Sequence, residues 1–166
     1  MSAIKIFYLE MRSAKDFRAK EQPENLQVIE SEIKEYRFNR YLYQLIGETW
    51  SWTDKLSLSS EQWQDYAEND NLRTYVAYHK GSIAGYYELQ QQSDGDVEIV
   101  YFGLAPKFLG MGFGGYLLSH AIKSAWSWEE TKRVWVHTCS LDHESALPNY
   151  QARGMLLYKT EIAPSI

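Results

Sequence analysis

The sequence predicts an α/β fold of the α+β kind, a mostly antiparallel twisted sheet of about six or seven strands flanked by about four helices. Three observations point to it. Segments 74–79, 83–90 and 97–104 read as strands joined by the turn signals Lys80-Gly81 and Asp94-Gly95. The glycine cluster Gly110-Met111-Gly112-Phe113-Gly114-Gly115 leads into one long amphipathic helix. The C-terminal third alternates strand, helix and strand.

Taken in order, Ala3 to Met11 alternates as a strand does, and Asn25 to Glu32 reads as a second strand. From Ile33 to Ile46, Tyr36, Tyr41, Leu42, Leu45 and Ile46 recur at helical spacing, and Gly47 ends the pattern. Ser60 reads as the N-cap of a short helix reaching Tyr66. The three hairpin-linked strands form the centre of the sheet, and Pro106 stops the last of them. Phe113, Leu117, Leu118, Ala121, Ile122, Ala125 and Trp126 trace a single apolar helical face. Arg133 to Cys139 is a strand, Glu144 to Arg153 a helix and Met155 to Ile162 the last strand. With no internal repeat or linker in 166 residues, one domain spanning 1–166 is expected.

Composition narrows the functions. The chain is 45% hydrophobic and 23% charged, as a soluble globular domain is, and its net charge of -5 is the wrong sign for tracking phosphate backbones. Nucleic acid is therefore not an expected partner. No stretch approaches the roughly 18 consecutive apolar residues of a membrane span, so no membrane partner is expected either. The lone Cys139 excludes an internal disulfide, and Met1-Ser2-Ala3-Ile4-Lys5 lacks a signal-peptide core. Both features suggest a cytoplasmic setting. Whether two copies pair as a homodimer is left open.

A strand running through Pro106 into a glycine-dense turn and then a helix gathers free backbone NH groups at the positive end of the helix dipole. Such a turn suits the phosphates of a nucleotide-like ligand, and glycine lets them approach the backbone or permits positive φ. A P-loop would need Gly-Lys-Ser/Thr where Gly114-Gly115-Tyr116 stands, which excludes it. The dinucleotide fingerprint matches formally at Gly110, Gly112 and Gly115, but Ala105 to Leu109 intervene after the strand and too little chain follows. A third reading has the glycines serving only a tight turn and close helix packing.

Taken together, these residues resemble the GNAT N-acetyltransferase superfamily, whose signature is Arg or Gln, two residues, Gly, one residue, then Gly or Ala. Gly112 and Gly114 match it, and Leu109 stands where Arg or Gln is usual. The strand Glu98-Ile99-Val100-Tyr101-Phe102-Gly103-Leu104 resembles the strand that enters the signature. Ala146 to Met155, with Tyr150 four residues after Ala146 and then Gly154-Met155, resembles the family's later motif, and His143 stands where Asn often precedes the Ala.

The resemblance implies acetyl-CoA (coenzyme A) as cofactor, held in a cleft where two parallel strands splay. It implies pantetheine contacts at Phe102, Gly103 and Leu104, and phosphate contacts along Leu109, Gly110, Met111, Gly112, Phe113, Gly114 and Gly115. His143 and Asn149 fall beside the cofactor. It implies transfer of an acetyl group to a primary amine of a small molecule or peptide, with Tyr150 as the acid for the leaving thiolate. A tyrosine pKa near ~10 suits a donor. Glu98 matches the base of the histone-acetylating branch, and Glu88 is its rival. If Asp94-Gly95 forms a two-residue hairpin, Gln91 lies opposite Glu98 and Tyr101 opposite Glu88, so the glutamates face opposite sides unless a bulge intervenes.

Tyr36, Arg37, Trp50, Trp52 and Asp54 fall where the family builds its acceptor pocket, and Tyr36, Trp52 and Glu88 are the substrate-side candidates; an aromatic cluster of this kind also reads as core. His79, His120 and His137 read as ordinary histidines, Cys139 as a small strand residue, and no metal ligand set is expected. Two other functions compete with the enzyme: a non-catalytic acyl-CoA-binding module of the same fold, and a dinucleotide oxidoreductase.

Overall fold

The computed structural model describes residues 3–163. Met1 and Ser2, the first residues of the start that lacks a signal-peptide core, lie outside the described residues. The strands are β1 (Ile4–Met11), β2 (Leu26–Glu30), β3 (Leu72–His79), β4 (Ser82–Gln91), β5 (Asp96–Leu104), β6 (Arg133–Cys139) and β7 (Leu156–Ala163). The α-helices are α1 (Tyr36–Gly47), α2 (Ser60–Ala67), α3 (Phe113–Ser127) and α4 (Ala146–Ala152). Seven strands form one mixed sheet in the order β2-β3-β4-β5-β6-β1-β7. Among the described residues, only β5 and β6 pair in parallel.

Helix boundaries differ from the sequence reading where caps decide them. Glu35 is extended, and its carboxylate accepts from the Arg37 NH, so α1 starts at Tyr36 and leaves Ile33 outside. Ser59, not Ser60, caps α2: its side chain accepts from the Gln62 NH and the Gln62 side chain returns to the Ser59 NH. α4 begins two residues later than expected, at Ala146.

Alternate residues of the central strands face different helices. Tyr87, Leu89, Val97 and Ile99 pack with Leu117, Leu118, Ala121, Ile122 and Ala125 of α3, all buried. Val76 and Tyr86 turn the other way, onto Leu42 and Ile46 of α1. Each fully buried Leu or Ile contributes roughly 1.5–3 kcal/mol, which fixes α3 on one face of the sheet and α1 on the other.

Asp94 (φ 62°) and Gly95 (φ 81°) take the expected positive φ, but the loop joining β4 to β5, closed by the Gln92 NH donating to the Asp96 carbonyl, has three residues, Ser93–Gly95, not the two expected. The register beyond it differs. Gln91 pairs with Val97 and Gln90 with Glu98, while Glu88 pairs with Tyr101, because a bulge in β5 inserts one residue between the two runs. Glu98 therefore lies opposite Gln90, on the same face as Glu88 and Tyr101. The expectation that the glutamates face opposite sides is corrected by this bulge.

Candidate active site

Parallel pairing of β5 and β6 covers only Asp96↔Arg133, Val97↔Val134 and Glu98↔Trp135. Beyond Glu98, β5 keeps its ladder with β4 and β6 keeps its ladder with β1, so the two strands separate. A cleft of about 520 Å³ opens where they part. Phe102, Gly103 and Leu104 line one wall, Thr138 and Asp142 the other, and the glycine turn and α4 close the end. The unpaired edge of β5 offers backbone groups of the kind that amides of an extended ligand can join.

In the turn, Gly110 and Gly112 take φ of 79° and 80°, a conformation most side chains avoid. A Cβ at either position would meet nothing within 4 Å, so backbone conformation, and space left for a ligand, account for glycine there. Gly112 is the residue before α3, and among the described residues no side chain caps that helix start. Its first NH groups are thus free to meet an anion. Asn149 Nδ2 donates to the Gly114 carbonyl at 3.1 Å, tying α4 to the turn.

Leu109, Gly110, Gly112, Phe113, Gly114, Gly115, His143, Asn149 and Tyr150 all line the cleft, as do Trp50 and Trp52. Met111 does not; its side chain is 49% exposed. The His143 ring accepts from the Ser145 NH at Nδ1, which leaves Nε2 as the protonated nitrogen. Its ring also meets Trp50 edge-on at 5.2 Å.

Tyr150 is 5% exposed. Among the described residues its hydroxyl has no hydrogen-bond partner. Burial, with help from the nearby Asp142 charge, pushes its pKa above the ordinary tyrosine value. It is a neutral OH donor at the cleft wall.

Glu98 sits at the last paired residue, where the strands begin to part, and is outside the cleft lining. It accepts from Gln92 Nε2 at 2.9 Å, and its other oxygen is 3.6 Å from His137 Nε2. Burial raises its pKa, partly opposed by the His137 charge. Glu88 is 1% exposed and accepts from Asn39 and from the Tyr66 hydroxyl, both at 2.6 Å. Its pKa is raised by burial and pulled back by those bonds. Glu88 thus joins α1 and α2 to β4.

The acceptor-side candidates separate. Trp52 lines the cleft, donates to Asp142 at 3.4 Å and packs on Tyr101 at 5.1 Å. Asp54 accepts from the hydroxyls of Tyr43 (2.8 Å) and Tyr101 (2.5 Å). Tyr36 stands apart at the start of α1, stacked by Arg37 and Arg40, and does not reach the cleft. It is half-buried at the first turn of α1, where its backbone NH donates to Glu68. The Cys139 thiol is pushed up by burial and by Asp142, the opposite of an activated nucleophile.

Lys20, Thr138, Asp142 and Arg153 also line the cleft. Asp142 had a weak signal, as a turn-forming residue after a strand: it accepts from the Cys139 NH (2.9 Å) and the Thr138 hydroxyl (2.5 Å). Lys20 lies in an aperiodic stretch and gave none.

The family model described as the acetyltransferase (GNAT) family matches residues 39–155, well over half the chain. No curated protein matches in sequence. The fold superposes on a GCN5-related N-acetyltransferase from Kribbella flavida with TM-score 0.68 and 14% identity, covering 98% of this chain and 57% of that one. A GCN5-related N-acetyltransferase from Sphaerobacter thermophilus gives TM-score 0.72 at 15% identity, covering 98% and 51%. An IAA acetyltransferase from Bacillus cereus ATCC 14579 gives TM-score 0.53 at 26% identity, covering 75% and 74%. The chain spans little more than half the length of the first two structures. The splayed parallel strands, the turn that opens α3 and the extent of the family match agree: the chain belongs to the GNAT acetyltransferase family.

Proposed function

We propose that the protein is an acetyl-CoA-dependent N-acetyltransferase acting on a primary amine by direct attack. The observation that carries this reading is the cleft itself. An unpaired strand edge, an uncapped helix start behind two positive-φ glycines and a buried neutral tyrosine hydroxyl line one cavity. Those groups fit the pantetheine amides, the phosphates and the sulfur end of coenzyme A respectively. When bound, acetyl-CoA supplies the activated acyl group as a thioester.

The chain's own residues supply position and proton management. The edge of β5 at Phe102, Gly103 and Leu104 orients the cofactor arm, and the NH groups at the start of α3 hold its phosphates. Glu98, buried just beyond the cleft lining where β5 and β6 begin to part and with a raised pKa, accepts a proton from the incoming ammonium, directly or through water. Tyr150 donates to the departing thiolate. Trp50 and Trp52 project into the cleft from the segment after α1, and the acceptor amine enters past them. Glu88 serves the acceptor side indirectly, by holding α1 and α2 against β4.

The test is turnover of acetyl-CoA with a panel of primary amines, following thiol release and the acetylated product by mass. Amine-dependent release supports the reading. Tight acetyl-CoA binding with no transfer to any amine would instead favour a binding module, and preference for NAD over acetyl-CoA would overturn both.

A further inference from the structure

The segment between β1 and β2 is strapped across the first half of α3 and the C-terminal end of α4. The Lys20 NH donates to Ser119 Oγ at 2.8 Å, and the Arg18 NH donates to the Arg153 carbonyl at 2.9 Å. Gly154 permits the closeness: at φ 103°, a Cβ there would lie 2.0 Å from the Asp16 carbonyl oxygen. The strap and the end of α4 therefore bring two cationic side chains to one point. The position a Cβ of Gly115 would take is 3.0 Å from Arg153 Nη1 and 3.4 Å from Lys20 Nζ.

Two like charges so close repel unless an anion lies between them. Neither pairs with a carboxylate among the described residues, in a chain whose net charge is -5. Among the described residues, Arg153 Nε is buried with no hydrogen-bond partner, and both residues line the cleft beside the glycine turn. Across that turn, Leu109 is an apolar side chain that offers nothing to a phosphate.

We propose that Lys20 and Arg153 form a side-chain clamp for a phosphate group of coenzyme A, supplying from the strap and from α4 the charge that Leu109 cannot supply from the turn. The inference rests on the acetyl-CoA reading above. The clamp holds either the ribose phosphate monoester or the pyrophosphate; both present the same anionic oxygens to a guanidinium and an ammonium.

The experiment is calorimetric titration of acetyl-CoA and of its 3′-dephospho form onto the wild type, Lys20→Met and Arg153→Met, with melting temperatures recorded and Lys20→Arg as the charge-keeping control. Each methionine variant should weaken acetyl-CoA binding about 10- to 100-fold, the loss of a charge-assisted hydrogen bond, at near-wild-type melting temperature. The dependence of Kd on salt should become shallower, and Lys20→Arg should retain most of the affinity. If the wild type prefers acetyl-CoA to the dephospho form and the variants lose that preference, the clamp holds the ribose phosphate. If both ligands weaken together, it holds the pyrophosphate. A wild type that binds acetyl-CoA, with methionine variants that bind both ligands equally well, overturns the clamp and leaves the proposed function standing. Absence of binding by the wild type overturns that function and the clamp with it.

Discussion

Replacing Tyr150 with phenylalanine deletes one hydroxyl and keeps the ring that packs near Phe102 at 6.1 Å. Because that hydroxyl donates to no protein group among the described residues, its removal breaks no internal hydrogen bond. The stability change should therefore stay within about 1 kcal/mol, the net worth of a single hydrogen bond. Kinetics should respond very differently. A positioned acid with a pKa held high by burial is neutral across the whole working range, and losing such a donor costs ~10²- to 10⁴-fold, or about 3–5 kcal/mol of barrier. The assay is kcat from thiol release, with acetyl-CoA affinity and melting temperature measured on the same preparation. The account expects kcat to collapse while the other two stay put. A phenylalanine variant with wild-type kcat, under conditions where chemistry limits the rate, would remove Tyr150 from the mechanism.

The two glutamates should part company on opposite readouts. Glu98→Gln should lower kcat/KM at least about 10-fold at neutral pH and less at high pH, where the amine deprotonates unaided, with little change in melting temperature. Glu88→Gln, which sets an amide against two buried donors, should cost about 1–3 kcal/mol of stability in denaturant titration; reversed effects would move the base assignment to Glu88. His120 sets a pH dependence. Burial lowers its pKa, and its Nδ1 lies 2.6 Å from the Tyr87 hydroxyl. As pH falls below ~6.5 the unfolded chain takes up this proton before the native one does, so stability present above that pH is lost, by up to about 1.4 kcal/mol per unit. Urea titrations of His120→Gln should show a flatter decline from pH 7.5 to 5.5, and parallel curves for the two proteins would refute the assignment. Gly47→Ala would place a Cβ 2.5 Å from Trp52 Cε3. It should destabilise by about 1–3 kcal/mol and alter tryptophan fluorescence; an unchanged spectrum and melt would show that Trp52 is not held there.

What the sequence revealed was what depends on neighbouring residues. The positive-φ pairs Lys80-Gly81 and Asp94-Gly95, the apolar stripe of α3 and the turn before it are each written in a few adjacent residues. The β5 bulge is not. Nothing in Ile99-Val100-Tyr101 marks an extra residue, because the bulge answers to the strands on either side, and it turned Glu98 onto the face of Glu88. The same limit hid Lys20, which reaches Gly115 only because the strap to Ser119 and Arg153 closes in three dimensions. Tyr36, expected on the acceptor side, lies outside the cleft lining with Arg37 and Arg40 over its ring, a placement that depends on where α1 sits on the sheet and not on its own segment.

The central claim is that coenzyme A phosphates rest on the turn that opens α3, and calorimetry of acetyl-CoA on the wild type and Gly112→Asp tests it most directly. An aspartate there adds a carboxylate at the helix start, and at φ 80° it also carries local strain of about 1–2 kcal/mol. A Cβ at that position meets no neighbouring atom within 4 Å, so circular dichroism should still report a folded chain. The account predicts single-site binding to the wild type and none measurable to the folded variant. Equal affinity in the two proteins would place the phosphates elsewhere and contradict the account.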